Sequence, residues 1–461
     1  MDNVLDLVDQ ATFDIGRATG VSTQLQCLWV YDGPVDIEGL RQFHGHLQRG
    51  RLSRCIERSP LRVGRHRWVS AERSSEMEVV AAPRPREEFD AWLGEQASAR
   101  LDCEQGPGWH LAVLPFTDGG AGVSLLVSHC LIDGVGLCEA VADAVLGRDD
   151  PISWPAAASR RRWPALREDA RQAGRDTRGI SQAVVAGVRL ARRTRRGAKA
   201  APPLPTRPLT LPAGADEPVT LATTTIFVDA DEWEARAHSL GGTSNALLVG
   251  LAGHVAQRLG RITAGGSLTL KMPVNERVAG DTRANANSDI AVAIDPAHAT
   301  TDLREIRAAV KQALIDYGEE ADERRALLSI VPLLPQRLFR RMITVVAGVT
   351  SSNLGVVNPA TSRPDGTDAD YFAMKILYSG VSKAMMHRFG GRLFLLAGRA
   401  RGHVSISVTG YQPGHPNTND SLRQEMSRAL SDFSLAGTHF GAHQDHIPLK
   451  EPPRQLHDPG D

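Results

Sequence analysis

The chain has 461 residues, of which 42% are hydrophobic and 23% charged. That is the make-up of an ordinary globular protein, but it is too long for a single hydrophobic core, so two lobes are expected. Lys and Arg number 53, as do Asp and Glu, so no overall field draws the chain to nucleic acid and any electrostatic function must be local.

The five cysteines (Cys27, Cys55, Cys103, Cys130 and Cys138) show no CxxC spacing and make no even set, which favours a reducing compartment over a disulfide framework. The start of the chain lacks the basic-then-apolar order of a leader. No apolar run approaches the roughly eighteen residues of a membrane span. A cytoplasmic, non-integral protein is therefore expected. Neither His44 and His46 nor His439, His443 and His446 bring a full ligand set at metal-binding spacing, and no glycine-rich phosphate loop follows a strand. No metal and no bound cofactor are expected.

In chain order, residues 25–35 read as a strand with a Gly-Pro turn, and a helix then runs to Leu47. Residues 61–80 have strand character, a helix spans about 86–100, and residues 109–114 form another strand. These short elements alternate as an α/β arrangement without a regular repeat. The next strand, Val123 to Ser128, delivers His129-Cys130-Leu131-Ile132-Asp133-Gly134 at its end. Val135, Leu137, Ala140, Val141 and Val145 follow at helical spacing, with Gly147 able to close the helix.

That placement makes His129 a candidate general base held on a rigid strand end. A structural or solvated histidine is the blander reading. The Asp-Gly pair favours a site, because Gly134 permits a sharp exit and a buried Asp133 would require a cationic or backbone partner. Asp133 then suits loop architecture better than proton transfer. Cys130 and Ser128 are neighbours of His129, so on extended backbone they face away from it. The chain also has no Gly-x-Ser-x-Gly elbow, so no covalent acyl-enzyme is expected.

The first lobe is expected over residues 1–150. Residues 151–215, rich in arginine (Arg192, Arg193, Arg195 and Arg196 among them) and then in proline, read as a crossover between lobes. Its helical part suits peripheral contact with an anionic membrane, although its modest apolar face favours a solvated linker helix. The second lobe is expected over 216–445, with a flexible tail over 446–461. It opens with a β-branched strand over 219–228. A helix capped near Thr243-Ser244-Asn245 comes next.

The strand at 268–272 then delivers Pro273-Val274-Asn275-Glu276-Arg277, and Arg277 is the expected partner of Asp133. A strand over 345–350 ends in Ser351-Ser352-Asn353-Leu354-Gly355. Ser352 and Asn353 could donate to an oxyanion and Gly355 permits close approach, but a plain turn explains the same residues. Strands at 392–397 and 404–409 and a helix near 420–434 complete the lobe.

The HxxxDG segment resembles the signature of the condensation-domain and CoA-dependent acyltransferase superfamily. Leu25 to Arg62, Pro273 to Arg277, Asn285-Ala286-Asn287 and Ser352-Asn353-Leu354-Gly355 are similar to landmarks of its bacterial wax ester synthase/diacylglycerol acyltransferase-like members. The resemblance implies an α/β fold of two chloramphenicol-acetyltransferase-like lobes with mixed sheets and a tunnel between them. It also implies His129 near the middle of that tunnel, acting as general base.

Asp133, Gly134 and Arg277 would then hold the site, with Asn275, Ser352, Asn353 and Gly355 at the oxyanion or tunnel wall. The co-substrate would be acyl-CoA or a phosphopantetheinyl thioester, on an acyl or peptidyl carrier protein, and the acceptor an alcohol or amine. Two departures stand out. Ser128 replaces the first of the two histidines many relatives carry, and Leu354-Gly355-Val356 replaces Val-Pro-Gly. Acyl transfer is the leading function. Amide formation or cyclisation on a carrier-bound substrate, and a non-catalytic carrier-binding scaffold, are the alternatives.

Overall fold

The structure is a computed structural model, and it describes residues 3–148, 153–161, 163–176, 216–262, 266–278, 280–328 and 348–440. The chain opens with α1 (Leu7–Thr19), whose first turn is capped by the Asp6 carboxylate and whose end turns at Gly20, φ 75°. There follow β1 (Ser22–Tyr31), α2 (Ile37–Leu47), β2 (Arg54–Glu57), β3 (Arg67–Ser70), β4 (Met77–Val79), α3 (Phe89–Gln96), β5 (Trp109–Pro115), β6 (Ala121–Ser128) and α4 (Gly134–Val145). A helix over 163–176, α5, precedes β7 (Ala222–Asp229), α6 (Ala230–Ser239), α7 (Ser244–Arg258), β8 (Leu268–Asn275), β9 (Asn287–Ile294) and α8 (Arg304–Leu328). The described chain closes with β10 (Gly348–Val356), β11 (Tyr371–Ser379), α9 (Lys383–Arg388), β12 (Arg392–Ala400), β13 (His403–Tyr411) and α10 (Asn419–Asp432).

Two mixed sheets carry most of the strands, a five-stranded one in the order β11-β1-β6-β5-β4 and a six-stranded one in the order β7-β13-β12-β10-β8-β9, while β2 and β3 pair by themselves. Alternation along β1 sends Leu25, Cys27 and Trp29 to one face, where Leu40, Phe43 and Leu47 of α2 and Leu137 and Val141 of α4 cover them. Leu28 and Val30 point the other way, against Phe89, Trp92 and Leu93 of α3. The second sheet buries Leu393, Leu395, Leu270 and Ile290 against α6, α7, α8 and α10. Its opposite face turns Phe394 and Leu396 into the same cluster as Leu25 and Ile376 of the first sheet. The sheets therefore face each other through one shared core, with the cavity described below at one end of it.

Three sequence expectations need correction. β11 comes from the segment assigned to the second lobe, yet it pairs antiparallel with β1 from Ser22↔Ser379 to Val30↔Tyr371 and belongs to the first sheet. Its aromatic-rich sequence marks a strand, but partner choice depends on packing between distant segments. Second, the run Ser352 to Gly355 is strand and not a terminal turn. Ser351, Ser352 and Asn353 pair in parallel with Leu395, Leu396 and Ala397, and the register shifts between Asn353 and Val356. The bulge accommodates the Gly and Asn that read as turn chemistry.

Third, part of the expected crossover packs on the first lobe. Trp154 lies tilted against Trp68 with Arg54 over both rings, and buried Asp169 of α5 meets Arg160, Arg67 and Ser59. The arginines of the proposed membrane contact, and the tail beyond residue 440, lie outside the described residues. Among the described residues no helix is long and apolar enough to cross a membrane.

Candidate active site

β6 ends at Ser128, and His129 begins the turn that leads to α4. The backbone sets its position. Its N–H donates to the Thr23 carbonyl on β1 at 3.0 Å, and its carbonyl accepts from Asn285 Nδ2 at 3.3 Å. The ring borders a cavity of about 870 Å³ between the two sheets. Its Nδ1 is buried and meets no hydrogen-bond partner among the described residues. The neighbours diverge as expected: Ser128 Oγ lies 2.9 Å from Cys103 Sγ, and Cys130 packs with the Leu5–Phe13 cluster. Neither thiol nor hydroxyl bonds to the imidazole.

Asp133 is committed elsewhere. Its Oδ1 caps α4 by accepting from Gly136 N at 2.7 Å, while Oδ2 accepts from Ala286 N at 2.7 Å and from Arg277 Nη2 at 2.9 Å. Both side chains of the pair are 2–3% exposed. Arg277 Nη1 also donates to the carbonyls of Asp281 and Arg283, and Nη2 to that of Ala284, so it ties the β8–β9 connection to the start of α4. Both carboxylate oxygens of Asp133 are thus engaged in tying the start of α4 to the β8–β9 connection.

Gly134 does not use the backbone freedom expected of it. It is the first residue of α4 with ordinary helical backbone, and the constraint is space. A Cβ there would sit 3.0 Å from Leu354 Cδ2 and 3.4 Å from Met374 Sδ. Gly136, which the sequence reading passed over, is more confined, since a Cβ would meet Arg277 Nη2 at 2.9 Å and Asp133 Oδ1 at 3.0 Å.

Asp9 of α1 was also missed. It is fully buried and accepts from Ala284 N, Asn285 N and Asn285 Nδ2 at 2.7–3.1 Å, so it positions the asparagine that holds His129. Burial raises its carboxyl from 3.8 to about 6, against the opposing pull of the 284 and 285 backbone and Arg54. Arg54, itself pushed down to about 10 by burial, donates to the carbonyls of Thr282 and Leu131 and bridges the same two segments. The only sequence signals for Asp9 and Gly136 were a polar Asp in a helix that buries Phe13 and a Gly three places past a cap.

Ser352 borders the cavity on the second sheet, and so do Asn275 and Asn353. Asn353 is partly spent: its amide nitrogen donates to Asn245 Oδ1 at 2.6 Å and its oxygen accepts from Gly355 N. Asn275 Oδ1 likewise accepts from Arg277 N. Gly355, at φ 71°, shapes the bulge and lies outside the cavity lining. The described residues hold no cluster of three His, Cys, Asp or Glu that could bind a metal ion.

Two facing mixed sheets, with His129 bordering the cavity between them, form a fold found in several solved structures. Solved structures that share it include the first condensation domain of the calcium-dependent antibiotic synthetase in complex with a substrate analogue. At 15% identity it covers 94% of this chain and 96% of its own, with a TM-score of 0.57. The wax ester synthase/diacylglycerol acyltransferase from Marinobacter aquaeolei VT8 matches at 15% identity over 94% and 98%, TM-score 0.55. A trichothecene 15-O-acetyltransferase from Fusarium sporotrichioides matches at 10% over 94% of each chain, TM-score 0.56. No family model and no curated protein matches the sequence.

Proposed function

We propose that the protein transfers an acyl group from a thioester, carried by CoA or by a carrier protein, to a hydroxyl or amine. The observation that carries this reading is His129, fixed by its own backbone at the cavity wall while the nearby Asp133 carboxylate is engaged by Gly136, Ala286 and Arg277. In the proposed step the acceptor O–H or N–H attacks the thioester carbonyl and the imidazole takes its proton. The carbonyl oxygen becomes an oxyanion, the C–S bond breaks, and the proton passes to the departing sulfur.

We take Ser352 Oγ as the oxyanion donor, since it borders the cavity and Asn353 already gives one amide hydrogen to Asn245. A well-aimed donor of this kind is worth roughly 3 to 4 kcal/mol in the transition state. The fold likeness to an acyltransferase and to a condensation domain supports the transfer and leaves ester and amide products as two versions of it.

Purified protein is incubated with a panel of acyl thioesters and acceptors, and products are read by mass spectrometry. His129→Ala should lower turnover by about 10²- to 10⁴-fold, while calorimetry should show thioester binding retained. Equal product from wild type and His129→Ala would reject the general base. Binding without turnover across the whole panel would favour a carrier-binding scaffold.

A further inference from the structure

The cavity has a second chemical region, remote from the proton transfer. Along the first sheet His129, Thr23 and Tyr378 lie side by side: His129 N–H bonds to Thr23, and Thr23 pairs with Tyr378. Two strand spacings, about 10 Å, therefore separate the backbone of the base from that of Tyr378. There the second sheet meets the first. Arg392 Nη2 donates to Tyr378 Oη at 2.7 Å, and its guanidinium lies 5.1 Å from the ring centres of Tyr378 and Phe394. Thr350 is the register partner of Lys271 on one side and of Phe394 on the other. Lys271, Thr350, Tyr378 and Arg392 all border the cavity.

Three observations give this corner a polarity. Arg392 is only 3% exposed, and Arg261 stands behind it, donating to the Arg392 carbonyl. Burial and the Arg392 charge both lower the Lys271 ammonium, with exposed Asp289 opposing them. Among the described residues the cations outnumber the single acid here, whereas the other carboxylates on the cavity wall, Asp6, Asp133, Glu276 and Glu320, belong to the α1 cap, the α4 cap, the end of β8 and α8. Thr350, also 3% exposed, has a buried hydroxyl with no hydrogen-bond partner among the described residues. A buried hydroxyl without a partner is costly in a finished core and appropriate in a ligand site.

We infer that Lys271, Thr350, Tyr378 and Arg392 form a carboxylate-binding subsite, so that the substrate carries a carboxylate separate from the carbonyl that reacts at His129. Arg and Lys supply charge-assisted bonds, and Thr350 supplies the neutral donor. The inference rests on the acyl-transfer reading for its reacting carbonyl. The carboxylate belongs either to the far end of a dicarboxylic acyl donor or to the acceptor.

Binding is tested first, without turnover. Calorimetry compares octanoate with octanamide, which differ only in charge at the head group. Wild type and His129→Ala should both favour octanoate by on the order of tenfold or more, and Lys271→Met and Thr350→Val should each reduce the preference. Arg392→Met is informative only where its unfolding midpoint matches wild type, so Lys271 and Thr350 carry the test. Equal affinity for the two probes, or a preference untouched in Lys271→Met, overturns the subsite.

Turnover then identifies the source. A lower KM for octanedioyl-CoA than for octanoyl-CoA places the carboxylate on the donor. A preference for a hydroxy acid over its amide places it on the acceptor. Turnover that ignores charge on both overturns the proposal, whereas retained octanoate preference with no turnover keeps the subsite and rejects the transferase.

Discussion

Asp133 accepts from three donors brought from two segments of chain, one of them the charged Arg277, and this concentration predicts how the site fails. Arg277→Met leaves a buried carboxylate without its cation and should cost about 3 to 5 kcal/mol in chemical denaturation. Adding Asp133→Asn to it should cost less than the two single effects summed, because the members are in direct contact. Gly136→Ala forces a methyl against both partners at once and should cost about 1 to 3 kcal/mol by the same measurement.

Asp9 predicts a pH dependence of unusual sign. Its folded pKa, about 6, lies above the ordinary 3.8, so the native state holds this proton more tightly than the unfolded chain. Its contribution favours folding most below about pH 4 and is lost as pH rises through about 6. Asp9→Asn should therefore flatten the thermal midpoint across that window, and an unchanged slope would contradict the assignment. At this scale Asp133 and Arg277 could be read from the sequence, since a buried charge demands a partner and few candidates offered one. Gly136 and Asp9 could not, because their constraints come from side chains and backbone that meet them only after folding.

Among the elements, β1, β5, β6, α4, α7 and β13 follow directly from alternation, helical spacing and caps. β10 shows why other boundaries did not. Asn353 and Gly355 have turn chemistry, but a strand with a neighbour on each side, β12 and β8, keeps its ladder and absorbs them in a bulge. Ser352→Pro separates the two readings. A turn would tolerate it, whereas loss of a ladder bond in a central strand should cost about 3 kcal/mol or more, read from the denaturation midpoint. Helix α5 was obscured for a related reason: its polar sequence resembles a linker, and its packing depends on Arg160, Asp169 and Glu57 meeting across the fold.

At the scale of the whole molecule, two lobes are visible in the length alone, but their interlocking is not. Because β11 completes the sheet of β1 and β6, residues 1–150 expressed alone should lack a stable tertiary fold, with dispersed amide signals appearing only on co-expression with residues 216–461. A well-folded isolated segment would show that β11 is dispensable.

The same exchange bears on how the chain is made. Trp29 Nε1 donates to the Thr361 carbonyl 332 residues later, and β1 gains its outer neighbour only when residue 379 is available. At synthesis rates of about 5 to 20 residues per second, the first sheet stands with a bare edge for on the order of tens of seconds. During that interval a growing chain presents Trp29 and the unpaired side of β1 to whatever the ribosome's surroundings contain. The crossing strand that joins the finished sheets is thus also the point at which newborn copies are most exposed to mispairing with one another.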